Sequence, residues 1–259
     1  MNVIRPPFRY VGSKWRLLKK VDFKFPRFSW IIEPYAGSCS FSMSVGNLNK
    51  GFIGYDTNSD LILLWGWLKI YATEKRLEEL QKIVDKHPDK TDVRCLGLSH
   101  PGEMVYIRIN MTGLFVGQLS SWKIYKQFKL PIKNTIKCLS ILKEGTFYCD
   151  PASKYKPEKS HLVFVDPPYC SNCSNYIDKS QHKNYDNLYN KIETKELMDK
   201  VRNVGAKYIF TYGTNAKKDF PEFKWTKVLS KRMPNTHRPG EYKIREEFVT
   251  SNIPFEITK

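Results

Sequence analysis

The sequence predicts an α/β fold: one domain around a mostly parallel sheet, carrying an inserted module. Three observations lead there. Apolar runs at "SWIIEPYAG" and "KGFIGYD" each end in an acid followed by turn-forming or helix-capping residues, as strands do where they hand over to helices. The runs "HLVFVD" and "AKYIFTYGT" flank the helical stretch "ETKELMDKVRNVG", and two strands joined through a helix imply a right-handed crossover and a parallel sheet. At 259 residues, 41% hydrophobic and 14% aromatic, the chain can bury one large core.

The elements follow in order. "WRLLKKV" suits a short helix, "SWIIEPYAG" a strand running into a Pro-Gly loop, and "FSMSVGNL" a helix. "KGFIGYD" is a second strand. Asn58 or Ser59 then caps a long helical pattern, "SDLILLWGWLKIYATEKRLEELQKIVDKH", that ends near Pro88. In it Leu77, Leu80, Ile83 and Val84 keep the i, i+3, i+4 spacing of one buried face. From about residue 89 to 145 the glycines 97, 102, 113 and 117 break the chain into short pieces rich in lysine and aromatic residues. These changes predict a catalytic domain over residues 1–75 and 146–259, with residues 76–145 inserted as a separate subdomain.

Charge narrows the partner. Forty-three Lys and Arg face 26 Asp and Glu, a net +17. The excess is concentrated in residues 1–30, 123–137 and 217–245, interleaved with Trp122, Tyr125, Phe128 and Trp225. Separated basic runs with aromatic residues favour a nucleic-acid partner; a solvated face and an anionic membrane surface are the alternatives. No apolar run reaches the roughly 20 residues that span a bilayer, and the first residues lack the apolar core of a signal peptide. The expectation is a cytoplasmic protein, no membrane partner, and six cysteines held as thiols. Nothing in the pattern sets an oligomeric state.

The chemistry concentrates at strand ends. In "VFVDPPYC" three apolar residues run into Asp166, and Pro167 and Pro168 then bar both a continued ladder and a helix start. The turn holds Asp166 and Tyr169 at a strand's C-terminal edge, where open α/β sheets bind ligands; a plain strand breaker is the bland reading. "IIEPYAGSCSFS" joins a strand to a helix through small residues that let a ligand approach the backbone, though an ordinary turn has the same composition. It lacks G-x-G-x-x-G, which argues against a diphosphate cradle. Asp56 ends the next strand, where an acid can accept from both hydroxyls of a ribose or cap a helix. Together these features suit a nucleoside without a diphosphate, such as S-adenosylmethionine. Cys170-x-x-Cys173 has zinc-knuckle spacing but no second close pair, so no metal is expected. Residues 170–191, polar and rich in Tyr and Asn, read as a flap or a plain surface loop.

In order, "PFRYVGSK", "EPYAGS", "YDTNSDLI", a variable basic segment, "FVDPPY" and "FTYGTN" resemble the Dam-type family of DNA adenine methyltransferases. The set spans most of the chain. The resemblance implies a Rossmann-like S-adenosylmethionine-dependent methyltransferase domain with an inserted target-recognition subdomain. It implies methyl transfer to the adenine N6 amino group in double-stranded DNA, by base flipping and direct transfer, in a bacterial or viral setting. Tyr10 and Lys14 match residues beside the methionine end of the cofactor. Glu33, Pro34, Gly37 and Ser38 match the loop beneath it, Asp56 the ribose acid, and Asp150 a position near the cofactor adenine. Asp166 matches the catalytic acid, standing in the cofactor set as well, with the Pro167 carbonyl as second acceptor and Tyr169 as the ring stacked on the base. In the inserted segment Arg108, Asn110, Gly113 and Leu114 keep part of the recognition pattern, with Leu114 as an apolar wedge. Lys123, Lys126 and Lys129 are the expected phosphate contacts. Val116 stands where the family's guanine-reading arginine falls, which leaves the target sequence open between the usual GATC and another. A non-catalytic nucleic-acid-binding scaffold, and transfer to a cytosine amino group or to RNA, are the competing readings.

Overall fold

The computed structural model describes residues 3–10, 12–45, 51–111, 122–168, 191–234 and 242–258. Its centre is a seven-stranded sheet of order β4-β3-β2-β5-β6-β8-β7. The strands are β2 (Trp30–Glu33), β3 (Phe52–Tyr55), β4 (Gly145–Tyr148), β5 (His161–Val165), β6 (Lys207–Tyr212), β7 (Thr226–Pro234) and β8 (Tyr242–Ser251). The first five are mutually parallel, and β8 pairs antiparallel with both β6 and β7. A separate antiparallel pair joins β1 (Val21–Phe23) to β9 (Phe255–Ile257).

Alternation along the strands feeds two cores, because successive side chains leave a strand on opposite faces. Ile31, Phe164, Ile209 and Val249 enter one apolar cluster. Ile32, Val163, Val165, Phe210 and Phe248 enter the other. The first face is covered by α1 (Trp15–Leu18), α2 (Ser40–Val45), α3 (Ser59–Ile70), α4 (Glu74–Lys86), α5 (Pro101–Met111) and α6 (Ile132–Leu142). The second is covered by α7 (Lys191–Asn203) and α8 (Ala216–Asp219). A mostly parallel sheet buried on both faces by helices is the doubly wound, Rossmann-like arrangement.

The long helical pattern is two helices. Asn58 caps α3, its side chain accepting from Leu61 N at 3.2 Å. Thr73 then adopts an extended backbone and accepts from Arg76 N at 3.1 Å, starting α4 afresh; a side-chain cap competes with helix continuation at such a residue. Leu77, Leu80 and Val84 form the buried face of α4. The helices between β3 and β4 put their apolar side chains into the same cluster as Ile31 and Phe52, and α5 packs along α3. Among the described residues no helix is long and apolar enough to cross a membrane.

Candidate active site

The C-terminal ends of the five parallel strands carry a row of polar groups. Across the sheet they are Asp150 beyond β4, Asp56 after β3, Glu33 ending β2, Asp166 after β5 and Thr211 near the end of β6. The chain leaves β2 toward β3 over one face and β5 toward β6 over the other. The point between β2 and β5 is therefore the switch point of the sheet, where open α/β folds leave a crevice.

On one side of that point the loop after β2 is tied down by its own backbone. Pro34 is buried and ends the strand. Ala36 N donates to Tyr55 O at 2.8 Å, and Cys39 N donates to Ala36 O at 2.7 Å. Gly37 has φ +47°, and a Cβ there would lie 3.1 Å from the Tyr10 ring. Its N–H donates to Asp56 Oδ2 at 3.0 Å, while its carbonyl accepts from Trp65 Nε1 at 3.2 Å. Asp56 Oδ1 accepts from Asn58 N at 2.9 Å, so one carboxylate joins the loop to the start of α3. Burial pushes the Asp56 carboxyl up, against the two N–H groups that hold it down. Cys39 is buried and left-handed, with φ 45°, where a glycine would avoid a cost of about 1 kcal/mol. The hydroxyls of Ser13 and Ser38 meet Ser40 Oγ at 2.7 and 2.8 Å. Asp150 is half-buried beside Tyr55, whose phenol is pushed up by burial first and then by Tyr148 and Asp150.

On the other side, Asp166 Oδ1 receives two donors: Lys14 Nζ at 3.0 Å and Thr211 Oγ1 at 2.7 Å. The Lys14 side chain is 2% exposed and also donates to the Gly12 carbonyl. Asp166 keeps 18% of its side chain open. Burial raises its pKa, opposed by Lys14 and Thr211. Pro167 is buried behind it and Pro168 is exposed.

Between the two sides Glu33, 2% exposed, accepts from Ser42 N at 2.8 Å. Burial pushes its carboxyl up to about 8, and the nearby Asp166 adds to the rise. An unfolded glutamate titrates near 4.3. Between that value and about 8 the folded state keeps a proton the unfolded state has released. Stability from this group is therefore fullest at the acid end and is lost as pH rises to about 8. Glu33→Gln keeps the acceptor and removes the titration. Its unfolding free energy relative to the parent should rise from pH 5 and level off above about 8, on the order of a few kcal/mol in total. A constant difference across that range would show that Glu33 does not titrate there.

The structure thus brings together Tyr10, Lys14, Glu33, Pro34, Gly37, Ser38, Asp56 and Asp166 around the switch point, with Asp150 further along the same edge. Tyr169 and Leu114 lie outside the described residues, as do Gly113, Val116, Cys170, Cys173 and the expected flap as far as residue 190.

Of the expected DNA contacts of the inserted segment, Arg108 and Asn110 are buried, while Lys123 and Lys129 are exposed. Arg108 is 3% exposed; it pairs with Asp60 and lies 4.1 Å from the Trp122 ring centroid. Asn110 is fully buried, accepting from Arg9 N at 3.0 Å and donating to Tyr106 O at 2.8 Å. Asn110 has its bonds met, whereas Arg108 Nε is buried without a hydrogen-bond partner among the described residues, so the Asp60 pair and the Trp122 ring hold that side chain. Lys126 Nζ donates to the Val84 and Asp85 carbonyls at the end of α4, and Lys129 pairs with Asp85 at 3.0 Å. Lys123 is exposed.

Thr211, fully buried, is the site residue that the sequence reading passed over. Val165 of β5 is in register with Phe210 of β6, so laying "VFVD" beside "IFT" sets Asp166 against Thr211. Among the described residues no group of three or more His, Cys, Asp or Glu could hold a metal ion. The four cysteines described are free thiols.

Gly37, whose left-handed backbone lies under an aromatic ring, and an acid half-buried at the next strand end, fit a nucleoside ligand without a diphosphate. Residues 10–94 match the profile of the family described as D12 class N6 adenine-specific DNA methyltransferase. DNA adenine methylases of Salmonella typhi and Salmonella typhimurium are each 24% identical to the chain over 226 residues, 78% of this chain and 78% of theirs. The C-terminal domain of precorrin-6Y C5,15-methyltransferase from Rhodobacter capsulatus aligns over 98% of this chain and 100% of that one, at 10% identity and a TM-score of 0.43. The fold assignment rests on the sheet order above, not on that alignment.

Proposed function

We infer that this chain is an adenine-specific DNA methyltransferase of the D12 class, transferring a methyl group from S-adenosylmethionine to the N6 amino group of an adenine flipped out of duplex DNA. The observation that carries the reading is the pair formed at the switch point. A carboxylate with one oxygen fixed by two donors stands beside a loop shaped for a nucleoside.

Asp56 would hold the ribose, Tyr10, Lys14 and the Glu33–Ser38 loop the methionine end, and Asp150 the adenine side. When bound, S-adenosylmethionine supplies an electrophilic methyl on a sulfonium. The chain's own residues must make a poor nucleophile competent, because the adenine amino lone pair is delocalised into the ring. Lys14 and Thr211 both bond Oδ1 of Asp166, which leaves Oδ2 to accept one amino hydrogen. The Pro167 carbonyl accepts the other, drawing the nitrogen toward a pyramidal shape with its lone pair aimed outward. Once the new N–C bond has formed, the surplus proton on nitrogen has Asp166 as its nearest base. Tyr169 stacks on the base. A base inside a duplex cannot reach this edge, so flipping is required.

Thr211 is a positioning residue for Asp166. Thr211→Val should lower kcat about 10-fold with little change in KM, and Thr211→Ser should restore most of it. Losing the donated bond raises the Asp166 pKa, so the acid limb of the kcat profile should move to higher pH in the valine variant. An unmoved limb would reduce Thr211 to packing.

The direct test incubates the protein with unmethylated genomic DNA and labelled S-adenosylmethionine, followed by digestion to nucleosides and mass spectrometry. Label in N6-methyl-2′-deoxyadenosine is expected. Label in a methylated deoxycytidine would overturn the base. No label, with cofactor and DNA both bound, would favour a scaffold that binds without turnover.

A further inference from the structure

Besides the lysines of residues 123–129, of which Lys129 stays exposed although paired with Asp85, the chain carries a second group of cations beside the crevice. Arg5, Arg9, Arg16 and Lys19 are all exposed, and among the described residues none of them makes an ion pair with an acid. They are instead ordered on aromatic rings. Three of them surround the half-buried Trp15: Arg5 at 5.2 Å from its centroid, Arg16 at 5.4 Å and Lys19 at 4.9 Å. Arg9 lies 5.0 Å from the Phe128 ring. Partial burial and then the charge of Arg5 lower the Arg9 pKa, so the two guanidiniums feel one another. Arg5 thus links the Trp15 group to the Phe128 group. Two basic runs far apart in the sequence, residues 1–30 and 123–137, become neighbours.

The position matters as much as the charge. Tyr10, Ser13 and Lys14, between Arg9 and Trp15, lie on the site. The Tyr10 ring covers Gly37, Ser13 bonds Ser40, and Lys14 bonds Asp166. The cations therefore flank both ends of the segment that lines the crevice. Like charges held together without acids lower stability, and a polyanion relieves that cost. A guanidinium laid on a ring keeps its N–H edge for phosphate oxygens while losing little further freedom on binding.

We propose that Arg5, Arg9, Arg16 and Lys19, braced on Trp15 and Phe128, form a phosphate-binding track that seats the DNA backbone beside the crevice. The proposal rests on the reading of this chain as a DNA methyltransferase and adds the surface that positions its substrate.

The test measures binding of a 25-base-pair duplex by fluorescence anisotropy across a salt series. It compares the full chain with a variant carrying Arg5→Gln, Arg9→Gln, Arg16→Gln and Lys19→Gln. A second variant with Lys195→Gln and Lys200→Gln on α7 is the control. Each phosphate contact contributes about 0.9 to the slope of log K against log salt. The four-site variant should lose about 3.6 from that slope and bind at least about 100-fold more weakly at low salt, with a melting temperature no lower than the parent's. The control should match the parent. An unchanged slope in a folded four-site variant would overturn the track while leaving the enzyme reading intact. A loss of affinity equal at every salt concentration would also overturn it, as would loss of binding to anionic lipid vesicles with DNA binding unaltered. A parent chain with no DNA affinity would instead sink the enzyme reading itself. Should the four-site variant fold poorly, Arg5→Glu and Arg9→Glu tested singly should each still reduce the slope.

Discussion

Asp166→Asn is expected to abolish methyl transfer, lowering kcat by at least about 10³-fold, the range found for preorganised groups at a reacting centre. The asparagine keeps the shape, but its amide presents a neutral oxygen and a donor where two acceptor oxygens stood. If its oxygen faces Lys14 and Thr211, its N–H₂ points at the incoming amino group and repels it. If it turns over, the amide clashes with the two donors. Structural cost accompanies the chemical one, because the Lys14 ammonium is 2% exposed and loses its counter-ion. Breaking one partner of such a pair costs up to about 3 kcal/mol where the other side is partly open. Asp166→Asn should therefore melt earlier than the parent. Combining it with Lys14→Met should restore the melting temperature and leave turnover absent. Single-turnover rates and thermal melts on the three proteins separate the two effects; parental rates in Asp166→Asn would refute the assigned role.

Asp56→Ala should produce the second-largest loss, and it should fall on cofactor affinity. The carboxylate accepts from Gly37 N and Asn58 N and has lone pairs left over for a ribose. Hydrogen bonds to a charged group contribute about 1.5–3 kcal/mol each. Losing two hydroxyl contacts, and releasing the loop as well, should weaken S-adenosylmethionine binding at least about 100-fold by calorimetry. Asp56→Asn should lie between, since its remaining oxygen can serve only one of the backbone donors or one hydroxyl. Affinity within threefold of the parent in the alanine variant would remove Asp56 from the cofactor site.

The parts legible in the sequence were those with a short apolar run ending in an acid or a regular helical period. β2, β3, β5 and β6 read clearly, as did α7 with its stop at Gly205. So did the strand-ending acids, because an ionisable group directly after such a run must sit where the sheet meets solvent. The break at Thr73 was hidden because a cap is one hydroxyl against a continuing helical pattern. β4 buries only its first residue, and β7 and β8 are dense in charge, so none of the three carries a signal strong enough to compete with a loop. Arg108 and Asn110 were misread for a different reason. Within "VYIRINM" every side chain is buried, and only the Asp60 carboxylate and the Trp122 ring make an arginine tolerable there. Neither partner is near in sequence. Thr211 was missed because its meaning depends on the register of two strands more than forty residues apart.

The small pair of β1 and β9 has a consequence for how the protein is made. Thr258 donates to Lys19 O across a separation of 239 residues, and β1 lies shortly after the segment that carries Lys14 to Asp166. A ribosome releases that segment early and its strand partner late. In between, β1 lacks its only strand partner among the described residues, although the stretch before it can already dock on Ser40, Asn110 and Thr135, and closure of so long a loop is slow. Catalytic competence should therefore arrive late in synthesis. A polypeptide halted before residue 255 would contain every acid of the sheet edge but lack the strand that closes β1.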